Sequence, residues 1–397
     1  MTRPHVLGIG VAGLGRAFAL MLPTFRGDAR VRLVGATDPR ADACARFAQD
    51  VGARVHADVA ALCADPEVDV LYVATPHQHH AEHVLCAARA GKHVLVEKPM
   101  AVTLADAQAM VDAAARAGVV LLVGHSHSFD APILRARALI GTPGIGPLQM
   151  ITAVNFTDFM YRPRRQEELA TDRGGGAIFN QAAHQMDIVR LLGGGRVATV
   201  RGQAGRWDAA RPTEGAYTAF LTFETGACAS LTYSGYAHFD SDELTGWIDE
   251  MGVAKDPARY GAARRLLATA PDPAAELALR QARGYGTPIA NQAPPGQARA
   301  GHQHFGFVLA SCTHADVRPM PDAVRVYGDA AVRVEPLPLS PVPRVEVIDE
   351  LVAAVSNGHA PVHDGRWAMA TLEACLAILR SSREGREVAL RHQVPAA

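Results

Sequence analysis

Residues 6–15 read VLGIGVAGLG. The apolar first half predicts a buried β-strand, and the glycines after it predict a tight turn into a helix that begins near Arg16. Glycine lets the backbone turn sharply and approach a pyrophosphate group, which the N-terminus of the following helix stabilises. We therefore predict that Gly13, Leu14, Gly15 and Arg16 bind a dinucleotide cofactor.

Apolar segments and helical patterns alternate through the rest of the first 128 residues. Residues 31–37, 68–74, 94–96 and 119–123 are further short apolar runs, and a helical pattern separates each run from the next. Continuous apolar strands between helices indicate a parallel sheet that is buried on both faces. Residues 1–128 are therefore predicted to form the cofactor-binding domain.

The pattern changes after about residue 130. Longer, partly alternating strands are predicted at residues 150–156, 197–204, 216–222 and 228–233, with a helix over 174–192 between them. Such alternation is typical of antiparallel sheets. The predicted fold is α/β: an N-terminal Rossmann doubly wound parallel sheet, plus a C-terminal α/β domain (129–397) with a large, mostly antiparallel open sheet.

An insertion is predicted in the second domain near residues 236–301. It contains two helical patterns, at 262–269 and 274–283, followed by a loop rich in Gly, Pro and Gln at 284–301. The chain ends in two further helical patterns. The sequence does not indicate what the insertion does.

Composition limits the class of partner. The chain has 397 residues, of which 49% are hydrophobic and 20% charged, and its net charge is −1. This balance predicts a small-molecule substrate, no nucleic-acid partner and no membrane partner. The six scattered cysteines lack metal-ligand spacing, so we expect reduced thiols, no metal site and a cytoplasmic location. An open sheet with one bare face predicts a homodimer or homotetramer.

Two further segments bear on the cofactor. Asp38 ends the second predicted strand, where an acid can hydrogen-bond the adenosine ribose and repel a 2′-phosphate. This position favours NAD, although Arg40 leaves NADP possible. Thr75 and Pro76 end the third predicted strand and His80 follows, so we expect all three to lie beside the cofactor. The histidines of this loop lack partners at ligand spacing, and no metal is expected there.

Glu97-Lys98-Pro99 ends the fourth predicted strand, at the sheet edge where open α/β proteins bind ligands. A lone lysine there could simply extend its amine to solvent. A second segment adds weight to a functional role, because Asn180, His184 and Asp187 have the spacing of one helix face. We predict that Lys98, His184 and Asn180 are catalytic and that Glu97 lies at the cofactor.

With these motifs in this order, the chain resembles the Gfo/Idh/MocA oxidoreductase family over nearly its whole length. The resemblance implies a Rossmann domain, a second domain with a large open sheet, and NAD(P)-dependent oxidation or reduction of a secondary alcohol. It also implies site roles for Lys98 and His184. Many sugar and inositol members have an aspartate where this chain has Asn180, which argues against a sugar substrate.

A closer resemblance is to the branch of this family that oxidises carboxylated aromatic cis-dihydrodiols to catechols. Its marks are residues 160–165 (MYRPRR), residues 181–185 (QAAHQ) and the long insertion. Arginine binds carboxylates through two parallel hydrogen bonds. The predicted substrate-binding residues are Arg162, Arg164, Arg165, His125 and Asp187.

The general base is expected to be His184, because an unperturbed imidazole titrates near neutral pH. Lys98 would then orient the hydroxyl group and stabilise the developing alkoxide. Two alternatives remain open at this point. The first is an NAD(P)-dependent sugar or polyol dehydrogenase of the same family. The second is a non-catalytic regulator that senses a nucleotide.

Overall fold

The computed structural model describes residues 5–287 and 299–396. Its strands are β1 Leu7–Ala12, β2 Val31–Thr37, β3 Arg54–Val55, β4 Val70–Val73, β5 His93–Val96, β6 Leu121–Val123, β7 Leu148–Phe156, β8 Val197–Gly205, β9 Ala216–Phe223, β10 Cys228–Ser234, β11 Phe307–Cys312, β12 Ala315–Pro319, β13 Ala323–Gly328, β14 Val332–Pro336 and β15 Val388–Ala389. Its α-helices are α1 Arg16–Gly27, α2 Ala41–Val51, α3 Val59–Ala64, α4 His80–Arg89, α5 Leu104–Ala117, α6 Ala131–Leu139, α7 Ala183–Leu192, α8 Ala262–Leu267, α9 Pro273–Gln281, α10 Val345–Asn357 and α11 Gly365–Glu384.

The first sheet has the strand order β3-β2-β1-β4-β5-β6 and is parallel throughout. All six residues of β1 are buried, because helices cover both faces of the sheet. This burial explains the continuous apolar runs in the sequence. The predicted Rossmann domain is confirmed. The two-residue edge strand β3 was not anticipated, since its residues are exposed and carry no apolar pattern.

The second sheet has nine strands in the order β14-β13-β12-β11-β7-β10-β9-β8-β15. Only the pair β7–β10 is parallel within this sheet, so the mostly antiparallel prediction is confirmed. Residues of one sheet face share a core with α7 and α11. The other face leaves Met150 and Phe220 about half exposed. Alternating strands therefore reflect a sheet with one covered face and one bare face.

Helix α10 lies far along the chain but belongs to the first core. Its residues Val347, Ile348 and Leu351 are buried beside Leu7 and Val31 of the parallel sheet. The boundary at residue 128 was placed on strand patterns alone and stays a prediction. A helical pattern shows that a helix has an apolar face, but it does not show which core that face will join.

The predicted helices of the insertion correspond to α8 and α9, both shorter than the sequence pattern. The predicted loop 284–301 lies largely outside the described residues, which resume at Arg299. Within the described ranges, no helix is both long enough and apolar enough to cross a membrane.

Candidate active site

A cleft of about 1420 Å³ lies between the two sheets. The carboxyl ends of β1, β4 and β5 contribute Gly13, Thr75 and Lys98 to its wall. The second domain contributes His184 and Phe305. Ligands of open α/β sheets bind at this edge. The cleft therefore brings the predicted cofactor turn and the predicted catalytic residues to one place.

Gly13 has a conformation that the cofactor turn requires. Its φ is +96°, and a Cβ atom there would lie 2.8 Å from the Ala74 carbonyl oxygen. Gly15, by contrast, faces open space in the cleft. No side chain caps the N-terminus of α1, so its free N–H groups can bind an anion. The Leu14 side chain is buried, and only its backbone serves the turn.

Asp38 lies at the far end of this turn. Its carboxylate accepts hydrogen bonds from the Leu14 backbone nitrogen (2.7 Å) and from Arg40 Nε (3.0 Å). Arg40 also donates from Nη2 to the Leu14 carbonyl oxygen (2.8 Å). The guanidinium is thus bound to the acid and the turn. The residues present fit NAD, whose ribose hydroxyls an acid can accept.

The loop after β4 has two parts with different roles. Thr75 and Pro76 line the cleft, and their contact with the cofactor stays a prediction. His80 is fully buried behind the loop, where Nδ1 lies 3.0 Å from the Pro99 carbonyl oxygen and Nε2 lies 2.9 Å from that of Thr75. This placement disagrees with the expectation for His80, which joins two loops and does not line the cleft. The residue of this loop that faces the cleft instead is His77.

Lys98 projects from the end of β5 and donates from Nζ to the Asn180 carbonyl oxygen at 2.8 Å. Burial lowers the pKa of Lys98 to about 8, although the carboxylates of Glu97 and Glu250 partly offset this effect. Glu97 itself accepts a hydrogen bond from the Tyr72 hydroxyl at 2.6 Å, and burial raises its pKa. The lysine therefore titrates close to neutral pH, unlike an exposed lysine.

His184 lies in the first turn of α7, directly after a π-helical turn at Ile178–Ala182. Its ring packs against His127 (centroids 4.7 Å apart) and Phe305 (5.1 Å). Burial lowers the pKa of His184 well below its usual value, and the Lys98 cation lowers it further. The buried Nδ1 has no hydrogen-bond partner in the described part of the chain. His184 is therefore neutral, and its ring lines the cleft.

The predicted helix face is only partly realised. Asn180 lines the cleft with His184, but its side-chain amide donates to the Gly176 carbonyl oxygen (2.8 Å), so its backbone oxygen meets Lys98. Asp187 is absent from the cleft wall and accepts hydrogen bonds from Ser128, Trp367 and Thr371 at 2.5–2.8 Å. The expectation that Asp187 binds substrate is corrected. Its carboxylate ties α7 to α11.

His125 and its neighbour His127 line the cleft beside Lys98. Both rings share one buried acid: His125 Nε2 lies 3.1 Å and His127 Nδ1 lies 2.7 Å from Asp130. Burial, together with the nearby Arg344 cation, lowers the pKa of His125 to about 3. His125 is thus a neutral, fixed part of the cleft wall, and its role in substrate binding stays a prediction.

The three loop arginines all line the cleft, but each is already engaged. Arg162 pairs with Asp158 (3.0 Å) and Glu250 (3.5 Å), and Arg165 pairs with Glu168 (3.5 Å).

Arg164 is buried over the Phe159 ring, and its Nη2 donates to the Phe159 carbonyl oxygen at 2.8 Å. Its buried Nε has no hydrogen-bond partner among the described residues. A carboxylate ligand would have to compete with these protein groups.

Sequence reasoning missed Arg344, a cation of the cleft. It lies at the N-terminus of α10, and its Nε donates to Gln303 at 3.1 Å. Burial lowers its pKa, which the Glu97 carboxylate partly offsets. It also missed Glu250, His127 and Phe305. These residues follow no motif and are distant from the glycine helix in sequence, so no local signal could have found them.

No group of three or more His, Cys, Asp or Glu residues suited to a metal ion occurs in the described ranges.

Comparison with known proteins identifies the family of this chain. Residues 7–125 match the family model described as "Oxidoreductase family, NAD-binding Rossmann fold", and residues 133–248 match the GFO/IDH/MocA C-terminal domain. A 1-carboxy-3-chloro-3,4-dihydroxycyclohexa-1,5-diene dehydrogenase from Comamonas testosteroni is 49% identical over 94% of both chains. D-apiose dehydrogenase from Paraburkholderia graminis is 30% identical, over 85% of this chain and 77% of its own length.

Among solved structures, a putative dehydrogenase from Bordetella bronchiseptica RB50 superimposes with a TM-score of 0.91 at 42% identity. The match covers 97% of this chain and all of that one. The Bordetella pertussis WlbA dehydrogenase, solved with NADH and UDP-GlcNAcA, has a TM-score of 0.68 at 22% identity, covers 97% of this chain and 99% of its own, and shares the fold. The chain is an NAD-binding oxidoreductase that belongs to the Gfo/Idh/MocA family.

Proposed function

We propose that this enzyme oxidises a carboxylated aromatic cis-dihydrodiol to the corresponding catechol with NAD. The similarity to the Comamonas dehydrogenase extends over nearly the whole chain and supports this substrate class. The observation that carries the proposal is a cation without a carboxylate partner, Arg344, in the same cleft wall as Lys98 and His184.

Arg344 is the best candidate to bind the ring carboxylate. No ion pair between Arg344 and an acid occurs in the described parts of the chain. Apart from a 4.0 Å contact between Nη2 and the Met251 sulfur, its terminal nitrogens have no hydrogen-bond partner there. A half-buried guanidinium without an acid is costly unless a ligand supplies the anion. Arg162 and Arg165, already neutralised, would then shape the pocket around it.

Lys98 is the better candidate for the general base. A base is most effective when its pKa lies near the operating pH, and burial brings that of Lys98 to about 8. Burial has the opposite consequence for His184, whose lowered pKa makes it a weak proton acceptor. These pKa values favour Lys98 over the expectation from the sequence, in which His184 was the base.

In the proposed reaction, the neutral Lys98 amine accepts the proton of the substrate hydroxyl. NAD+, when bound, supplies the hydride acceptor for the carbon that bears this hydroxyl. His184 orients the hydroxyl through a ring nitrogen, and Phe305 packs on the imidazole and limits water access. The oxidation forms a hydroxyketone. This product tautomerises to an aromatic catechol, which makes the oxidation nearly irreversible.

The test is a screen for NADH formation. Substrates are a carboxylated cis-dihydrodiol, the same diol without the carboxylate, myo-inositol and glucose, each with NAD+ and with NADP+. We expect the carboxylated diol with NAD+ to react fastest. Turnover of inositol or glucose without turnover of the diols would show that the enzyme is a polyol or sugar dehydrogenase instead.

Arg344→Gln tests the carboxylate site within the same screen. Loss of a charged hydrogen bond should raise KM for the carboxylated diol about tenfold and leave KM for the uncarboxylated diol unchanged. Arg135→Gln is the matched control, because Arg135 is exposed, lies outside the cleft and pairs with Glu335. An equal rise in KM for both diols would contradict the role of Arg344.

We also propose that the enzyme forms a homodimer or homotetramer and works in the cytoplasm. The bare face of the second sheet, with Met150 and Phe220 exposed, supports self-association. All six cysteines are free thiols, which fits a reducing compartment. Light scattering after size-exclusion chromatography measures the mass, and a monomer would contradict the first proposal.

A further inference from the structure

Two arginines line the cleft without an ion pair to an acid in the described residues. Arg16 is the first residue of α1, next to Gly15, and Arg283 lies just after α9 of the insertion. In the part of the chain that the structure describes, neither forms an ion pair with a carboxylate. Burial, together with repulsion from Arg283 and Arg280, lowers the pKa of Arg16 to about 9. The two guanidinium groups line one cleft and repel each other.

Arg283 belongs to residues 273–285, a segment that we call the strap and that is fixed at both ends. Its first part is α9, which is anchored to the second domain. The Glu276 carboxylate accepts from Arg211 Nη1 (2.8 Å) and from the Arg164 backbone nitrogen (2.7 Å). One turn later, Arg280 pairs with Glu168 at 3.1 Å. These buried, charged hydrogen bonds are of the strong kind.

The other end of the strap enters the first domain. Tyr285 is 5% exposed and belongs to the core of the parallel sheet. Its ring packs edge-on against Phe18 of α1 (5.1 Å), and its hydroxyl donates to Asp50 at 2.8 Å. The strap thus connects the two domains beside the glycine turn, and Arg283 lies between the two anchors.

We propose that Arg283 binds the pyrophosphate of the dinucleotide from the side opposite α1, and that the strap is a cofactor-holding element of this enzyme. A pyrophosphate carries two negative charges, whereas Arg16 and Arg283 have no acidic partner in the described residues. The N-terminus of α1 and Arg16 would hold it from one side and Arg283 from the other. This inference depends on NAD binding and not on the identity of the proposed diol.

The pyrophosphate is a better ligand for Arg283 than a 2′-phosphate would be. A 2′-phosphate would lie at Asp38, whose carboxylate would repel it and already holds Arg40. Gly284 packs closely there, since a Cβ atom on it would lie 3.4 Å from Arg40 Nη1. Arg283 precedes Gly284 in the chain and lines the cleft, as Arg16 does.

The test measures NADH binding to the purified full-length enzyme by fluorescence titration at low and high salt. Arg283→Gln should weaken NADH binding about tenfold at low salt, and the salt dependence of the dissociation constant should become shallower. Arg283→Lys keeps the charge and should recover most of the affinity. Arg265→Gln is the matched control, because Arg265 is an exposed insertion arginine outside the cleft.

Direct titrations of NADH fragments identify the group that Arg283 contacts. ADP-ribose should bind Arg283→Gln about tenfold more weakly than the wild type, whereas adenosine should bind both proteins equally. Weaker adenosine binding in this variant, or NADH binding unchanged within about twofold, would overturn the proposal, as would a change in the ratio of NADH to NADPH affinity.

The anchor at Tyr285 provides a second, independent variant. Tyr285→Ala removes the ring from the first core and should weaken NADH binding in the same salt-dependent way. Tyr285→Phe keeps the ring and should bind nearly as well as the wild type. If Tyr285→Ala binds NADH normally while retaining its melting temperature, the strap does not hold the cofactor. These tests measure NADH binding, so their outcome is independent of the outcome of the substrate screen.

Discussion

The pH dependence of diol oxidation should follow the ionisation of Lys98. Only the neutral amine can accept the hydroxyl proton, so activity should rise with pH and level off above the pKa of about 8. At pH 7.5 about a quarter of the amine would be neutral, against roughly one part in a thousand for an ordinary lysine. Burial of this side chain therefore raises the active fraction by about two orders of magnitude.

The assay is the profile of kcat/KM against pH, followed by NADH formation, for the wild type and two variants. Lys98→Met should lower kcat/KM by about 10²- to 10⁴-fold and remove the rise near pH 8. His184→Gln should lower the rate but keep the rise, because His184 is neutral throughout this range. The reasoning is refuted if the rise persists in Lys98→Met and disappears in His184→Gln.

Two further observations separate catalysis from folding in this experiment. Removing a buried cation relieves a desolvation cost, so Lys98→Met should not lower the melting temperature. Arg344 also lowers the pKa of Lys98, and a bound carboxylate would neutralise that arginine. The kcat profile, which reports the substrate complex, should therefore rise at higher pH than the kcat/KM profile.

Three other substitutions have expected outcomes that follow from the site geometry. Gly13→Ala places a methyl group 2.8 Å from the Ala74 carbonyl at a φ of +96°, and NADH titration should show more than about tenfold weaker binding. Asp38→Asn removes the negative charge from the ribose site, so the ratio of kcat/KM for NADP+ to that for NAD+ should rise by about tenfold; no change in this ratio would contradict the assignment. Asp187→Ala leaves the buried Trp367 indole without its acceptor and removes the hydrogen bonds from Ser128 and Thr371, and urea unfolding should show a loss of about 3 kcal/mol; an increase in substrate KM with unchanged stability would restore its predicted binding role.

The parts of the fold that the sequence predicts are those that depend on local pattern. A strand buried on both faces must be apolar throughout, and β1 shows this in six consecutive residues. The turn after it needs glycine at Gly13 because no side chain fits there. Lys98 and His184 could be predicted for a related reason, since each follows a local motif at the end of a strand or the start of a helix.

The parts that the sequence does not predict depend on contacts between distant segments. Asp187 has the spacing of a site residue, yet α11 supplies Trp367 and Thr371 as hydrogen-bond donors and turns it to a structural role. Nothing near residue 187 announces a partner about 180 positions later. Arg162 and Arg165 look like free cations in the sequence, and only folding brings Glu250 and Glu168 to them.

The arginines of the cleft that lack an acidic partner indicate the charge of its ligands. A folded chain can neutralise a half-buried guanidinium with one of its own acids, as it does for Arg162, Arg165 and Arg280. In the described residues, Arg16, Arg164, Arg283 and Arg344 line the same cleft and form no ion pair with an acid. Because an uncompensated buried charge is unfavourable, a cleft that keeps several of them is suited to anionic ligands. In the two proposals, a dinucleotide pyrophosphate and a ring carboxylate would together supply the missing negative charges.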